Sequence, residues 1–279
     1  MSLSYFMPTV WSETLYRQLD REYVAVKNCN RDYEGDIKSL GDTVKIVGIS
    51  PISVFDYDKN TDMDPPAELT DSERMLVINQ AKAFNFAVDD IDRAQALPNL
   101  MKEAMRLAAS ALANEADKYV FSLHRNVAAA NTKTVSGLDA DGVVDMLLEV
   151  RQKLLEHDVP GNEEIILEVS PAVASKIIKA KIVTDTDNSA ALDKGCVGTF
   201  LGFRIYVSNN VYTEQSGGNT IYKCFARTKR AISFAEQLNE VEAYRPELRF
   251  ADAVKGLHLY GAKIVYPQEI MLLNISVAN

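Results

Sequence analysis

Cysteine is scarce in this chain: Cys29, Cys196 and Cys224 are odd in number and far apart. They do not form a disulfide framework, and a reducing compartment fits them. Long apolar runs are missing too, since none approaches the ~20 residues a bilayer span needs. The opening MSLSYFMPTVW has no basic region followed by an apolar stretch, so it is not a signal peptide, and the chain reads as soluble and cytosol-made. Positive charge is in deficit, 30 Lys and Arg against 39 Asp and Glu in 279 residues, for a net −9. That balance argues against a protein whose main work is gripping phosphates, which calls for a basic face. Only three histidines occur, His124, His157 and His258, none within a helical turn of another or of a cysteine, so no zinc site is expected. There is no G-x-S-x-G elbow, P-loop, G-x-G-x-x-G or H-E-x-x-H. No catalytic residue, metal or cofactor is therefore assigned. A carboxylate-site α/β hydrolytic enzyme stays an alternative, because any acidic chain offers carboxylate pairs.

What is present begins with a rod. From Gln95 to Leu123 the chain reads QALPNLMKEAMRLAASALANEADKYVFSL. Apolar residues recur at Leu97, Leu100/Met101, Ala104, Leu107/Ala108, Ala111/Leu112, Ala116, Tyr119/Val120 and Leu123, the spacing of one helical face. Good helix formers dominate it. Asp89, Asp90 and Asp92 lie upstream, where carboxylates cap free N–H groups and favour the positive end of the dipole. Pro98 fits only in the first turn. At ~1.5 Å per residue this helix is roughly 40 Å long, enough to serve as a spine.

Ahead of the rod lie an arm and a hairpin. In SETLYRQLDREY a short amphipathic helix is predicted, with Ser12 as N-cap and Leu15, Leu19 and Tyr23 as its stripe. This arm either packs on its own domain or crosses to a neighbour. GDTVKIVGI (41–49) and MLVINQAKAFNFAV (75–88) are predicted strands. Between them Asp56, Asp58, Asp62, Asp64, Glu68, Asp71 and Glu73 face only Lys59, and Pro65-Pro66 forbids a helix. The pieces form a long two-stranded arm with a polar tip. An isolated hairpin is marginal in water and its open edges invite pairing, so this one should lie on something. The acid spacing does not match an EF-hand loop, which needs ligands at alternate positions and a central Gly. The tip is either solvated or docked on basic residues of a neighbouring subunit.

After the rod, residues 126–134 read as a polar connector, 139–157 as a helix, 163–169 as a strand and 171–181 as a third helix with Ser170 as N-cap. His124 and His157 fall at helix ends, where an imidazole caps carbonyls. Strands are predicted at 203–208, 221–226 and through 241–274, with an exposed, mobile loop at 212–220. The basic groups Lys176/Lys179/Lys181 and Arg227/Lys229/Arg230 lack interleaved aromatics, so single-strand binding is not indicated and solvated faces or subunit contacts are expected. Strand–helix alternation points to a compact mixed subdomain and an α+β chain.

Four segments in order carry a resemblance: NRDYEGDIKSLGDTVKI (30–46), INQAKAFNFAVDDIDRAQ (78–95), GFRIYVSNNV (202–211) and KGLHLYGAKIVYPQEI (255–270). In these, and in its sequence of arm, acidic hairpin, spine and β-rich end, the chain resembles the major capsid (coat) proteins of tailed bacteriophages, nearest to those of short-tailed phages. The resemblance implies the Hong Kong 97-type capsid fold and a structural protein of an icosahedral shell around a double-stranded DNA genome. It implies an N-terminal arm (1–36), an extended loop (37–94), a peripheral domain with the spine helix (95–135), an axial domain (136–250) and C-terminal strands returning to the peripheral domain (251–279). The implied partners are copies of the chain itself in hexamers and pentamers, a portal, DNA packaged nonspecifically, and no membrane. With nothing ahead of Met1 to act as a cleavable extension, a separate scaffolding protein is also expected. The implied location is the virion capsid, assembled in the bacterial host cytoplasm. Inter-subunit contacts are expected at Asp56, Asp58, Lys59, Asp62, Asp64, Glu68, Asp71, Arg227, Lys229 and Arg230. A nanocompartment shell of the encapsulin kind is the alternative within the same fold.

Overall fold

The computed structural model describes residues 15, 17–33, 41–49, 59, 71–89, 100–161, 163–184, 196–247 and 251–277. In chain order these form helix α1 (residues 17–22), β1 (Thr43–Ile49), β2 (Asp71–Val77), β3 (Gln80–Asp89), α2 (Leu100–Ser122), β4 (Thr132–Leu138), α3 (Ala140–Glu156), β5 (Ile165–Val169), α4 (Pro171–Thr184), β6 (Cys196–Phe200), β7 (Phe203–Val207), β8 (Thr213–Ser216), β9 (Asn219–Thr228), β10 (Ile232–Tyr244), β11 (Ala251–Ile264) and β12 (Ile270–Val277). The strands make three sheets. One has seven strands in the order β4-β12-β9-β5-β7-β6 with β8 on β9, one is β10-β11-β3, and β1-β2 stands as a ribbon of its own.

The expected rod is α2, whose 23 residues span ~35 Å. Met105, Ala109, Leu112, Ala113, Ala116, Val120 and Phe121 form its buried stripe. This stripe packs on β3 and β11. All five residues of β5 are buried, so both faces of the larger sheet are covered. Phe121 stacks on Phe225 at 5.8 Å between ring centroids, placing α2 on one face. Helices α3 and α4 pack on each other and on β12 to cover the other. Asp139 caps α3 by accepting from the Gly142 amide at 2.8 Å. One hydrophobic core runs from the three-stranded sheet past α2 to the larger sheet and its helices.

Leu15, Leu19 and Tyr23 are all buried in this core, so the amphipathic stripe is real and residues 15 and 17–33 pack on their own chain. Residues 1–14 lie outside the described part. His124 Nδ1 meets the Phe121 carbonyl at 3.0 Å, the capping role expected of it; His157 Nδ1 instead meets the Gln268 carbonyl of a distant turn at 3.0 Å and caps no carbonyl of its own helix with its ring.

Several expectations need correction. The strand predicted over 75–88 breaks at Ile78-Asn79, because Ile78 turns its own N–H and C=O to Asp42 and Gly41 and closes the root of the ribbon. The connector at 126–134 ends in β4, whose partner β12 lies far along the chain. The loop at 212–220 is a β8–β9 hairpin: Gly217 and Gly218 have φ of +58° and +81° and join Ser216 to its partner Asn219, the two-residue turn that needs positive φ at both positions. The C-terminal strands part company, β11 joining β3 and β10 while β12 enters the larger sheet. β10 pairs with β11.

Candidate functional site

Among the described residues, the β1-β2 ribbon is the one two-stranded sheet, and neither of its strands pairs with any other. Seven pairs hold it, from Thr43↔Val77 to Ile49↔Asp71, a length of ~24 Å at strand spacing. Alternation sorts its root into two faces. Val44, Ile46, Leu76 and Ile78 point inward and make a small core of their own with Ala235, Leu259 and Val265. Met75 and Val77 point outward and are 47% and 44% exposed. The root sits so close to β11 that a Cβ on Gly261 would lie 2.3 Å from the Val77 carbonyl oxygen. Lys263 Nζ donates to the Met75 carbonyl at 2.9 Å. One end of the ribbon is thus bolted down, and an apolar pair on its other face stays half exposed.

Of the acidic tip, Asp56, Asp58, Asp62, Asp64 and Glu68 lie outside the described residues, as does the Asp71 side chain. Lys59 is exposed, in a turn. The basic cluster does not hold together. Lys229 is exposed, and Arg230 forms a two-pronged pair with Glu269 at 2.7 and 2.9 Å. Arg227 is wholly buried, which corrects the expectation of a subunit contact there. Its alternation in β9 turns it inward, and Glu168 on β5 receives it at 2.8 and 3.0 Å.

Sequence reasoning passed over three buried acids that hold the N-terminal segment. Asp117 on α2 accepts three backbone N–H groups, from Val24, Ala25 and Val26, each at 3.0 Å. Burial pushes its carboxyl up to about 7, against the pull of those N–H donors. Glu168 accepts from Asn28 Nδ2 at 3.1 Å beside its arginine. Glu236 on β10 meets His258 Nε2 at 2.8 Å and Arg31 Nη2 at 2.7 Å, and it accepts from the Tyr23 hydroxyl. Burial alone would raise the Glu236 carboxyl; the His258, Tyr23 and Arg31 contacts outweigh it and hold it below the ordinary value. The available signal was an acid at a position that periodicity assigns to the core, as in Ile232-Phe234-Glu236 along β10. Among the described residues no cluster of His, Cys, Asp and Glu could hold a metal ion, and no helix is long and apolar enough to cross a membrane.

Comparison with known proteins agrees with this architecture. No curated relative matches the chain. Among solved structures, a chain from Mycobacterium phage Che8 is 28% identical, with a TM-score of 0.68 over 90% of each chain. The capsid of cyanophage P-SCSP1u matches at 14% identity and a TM-score of 0.65, over 90% of this chain and 88% of that one. The holo-SrpI encapsulin complex of Synechococcus elongatus matches at 12% identity and a TM-score of 0.61, over 87% of this chain and 85% of that one. The last two likenesses are of fold alone, and the fold shared is the Hong Kong 97-type capsid fold. A family model described as phage capsid protein matches residues 73–270, most of the chain, from the ribbon's second strand to the start of β12. The chain belongs to the phage capsid protein family.

Proposed function

We propose that the chain is the repeating subunit of an icosahedral phage shell and that its β1-β2 ribbon lies across an adjacent copy. The observation that carries this reading is the ribbon itself. It is rooted by a small core at one end, pairs with no other strand among the described residues, and shows Met75 and Val77 to solvent on its outer face. A two-stranded ribbon of this kind is marginal in water until something covers it. A second copy of the chain supplies that cover by symmetry, and many modest contacts repeated around a shell give stability without any one tight bond.

The role is structural, without catalysis. Residues 95–135, with the spine helix, and β3, β10 and β11 would form the peripheral part, and α3, α4 and the larger sheet beyond residue 135 the axial part near the symmetry axes. The acidic tip (Asp56, Asp58, Asp62, Asp64, Glu68 and Asp71) meets Lys or Arg of a neighbour, with Lys59, Lys229 and Arg230 as basic groups able to answer it. Further partners are pentamers and hexamers of the chain, a scaffolding protein, a portal and DNA held nonspecifically inside; assembly takes place in the bacterial host cytoplasm.

The fold likeness to an encapsulin keeps a nanocompartment as the second reading. Negative-stain microscopy of the purified chain tests the proposal. Closed shells are expected, and replacing the tip acids with Asn or Gln should lower the salt concentration at which shells fall apart while the free subunit keeps its melting temperature. Surface pairs are screened beyond ~8–10 Å at physiological salt, so shells whose stability ignores both salt and these replacements would refute the tip contact. A chain that stays monomeric even when produced together with a scaffolding protein would refute the shell.

A further inference from the structure

The two larger sheets are continuous through two strands, each broken once. β9 leaves the seven-stranded sheet at Thr228, makes one 3-10 turn over Lys229–Ala231 and becomes β10 of the three-stranded sheet. β11 leaves at Ile264, passes residues 265–266 and a second 3-10 turn over Pro267–Glu269, and becomes β12. Arg227 is paired with Ile270 on one side of the break and Ile232 with Ile264 on the other. The breaks therefore lie side by side and form one line. Glu269, within the line, ties it together by accepting from Thr228 Oγ1 at 2.5 Å and from Arg230. Element ends of this kind are where a chain absorbs large changes of φ and ψ.

Residues 23–31 run across that line and are gripped on both sides of it. On the larger sheet, the Arg227 guanidinium donates to the Asn28 and Ala25 carbonyls at 2.5 and 3.1 Å, and Asn28 reaches Glu168. On the three-stranded sheet, Tyr23 and Arg31 converge on Glu236 beside His258. There the Asn30 amide also donates to the Ile232 carbonyl, and the Phe234 amide to the Asn30 carbonyl, both at 2.9 Å. The third grip is Asp117 on the spine helix, facing the Val24–Val26 amides, with Glu168, Tyr23 and Cys29 as its charged or titratable neighbours. The segment fills a groove as well, with Tyr23, Ala25, Val26 and Cys29 in the core, but apolar contact alone calls for no buried charge. Burying three carboxylates and a guanidinium is costly, and such groups are best justified where they fix one geometry.

We propose that residues 23–31 are a clasp that fixes the angle between the two sheets across the paired strand breaks, so that opening it lets the sheets pivot while each stays intact. The consequence for shell curvature rests on the function proposed above; the clasp itself does not.

The double variant Tyr23→Phe/Arg31→Ala tests it, since it removes both donors from the N-terminal segment to Glu236 and leaves Arg227–Glu168 in place. Spin labels at Gln215→Cys on β8 and Ala87→Cys on β3, in a Cys196→Ser background, report the distance between the sheets. Hydrogen exchange reports the clasp. Amides of residues 24–31 should exchange at least tenfold faster, and the distance distribution should at least double in width. Faster exchange with an unchanged distribution would overturn the clasp, and so would amides that stay protected. If the double variant does not fold, Arg31→Ala alone, at the 24% exposed end of the cluster, is read by the same two measurements. Arg106→Ala, an exposed pair with Glu103, serves as a control and should change neither. Variant subunits should also build shells of mixed diameter. If the unaltered chain builds no shells, the shell reading falls while the label distances still decide the clasp.

Discussion

Arg227 and Glu168 are the side chains least able to lose each other. Both are fully buried and share two hydrogen bonds, and removing one partner of such a pair leaves an uncompensated charge. Arg227→Ala should cost ~3–5 kcal/mol of subunit stability, measured by denaturant unfolding of the unassembled chain. Asp117 gives a second test at this scale. Its carboxyl is raised from the ordinary 3.8 to about 7 in the folded chain. The folded state therefore holds the proton more tightly than the unfolded state. Its contribution is complete below pH 3.8 and is lost as pH rises through about 7. Stability of the unassembled chain should fall across that window by an amount of order 4 kcal/mol from this group, and Asp117→Asn should flatten the fall. An unchanged slope in the variant would mean that another group titrates there. Neither acid was assigned from the sequence. Periodicity reads a charge on a core face as noise unless the partner, 59 residues away for Arg227, is already known.

Among the elements, the spine and the ribbon were legible because each has a strong local signature: three-and-four spacing in one, alternation around an acidic proline-rich turn in the other. The break between β2 and β3 was not, since it depends on the hydrogen bonds of Ile78 with Gly41 and Asp42 and on the close approach at Gly261, contacts that no local pattern records. Gly261→Val should force the ribbon root off β11 and cost ~1–3 kcal/mol, as overpacking does, with faster proteolysis in residues 41–77. Met75→Ser/Val77→Thr makes the opposite prediction. The pair is half exposed in the subunit, so stability of the free chain should move by no more than ~0.5 kcal/mol. Shell yield should drop severalfold, read by sedimentation. Equal loss in subunit and shell would place the pair in the subunit's own core.

At the scale of the molecule, the sequence order of parts was enough to point to the fold, but not to the way two sheets share strands. Strand composition carries no record of partner, and only the paired 3-10 breaks reveal where one sheet hands over to the other. The subunit that results is a closed core with a ribbon fixed at its foot, half exposed at Met75 and Val77 on its outer face. Cryo-electron microscopy of particles formed by the full chain tests this most directly. The expected result is a closed shell in which the ribbon's outer face, with Met75 and Val77, is seated on an adjacent subunit. A shell in which that face looks into solvent, or a chain that forms no shell, would contradict it.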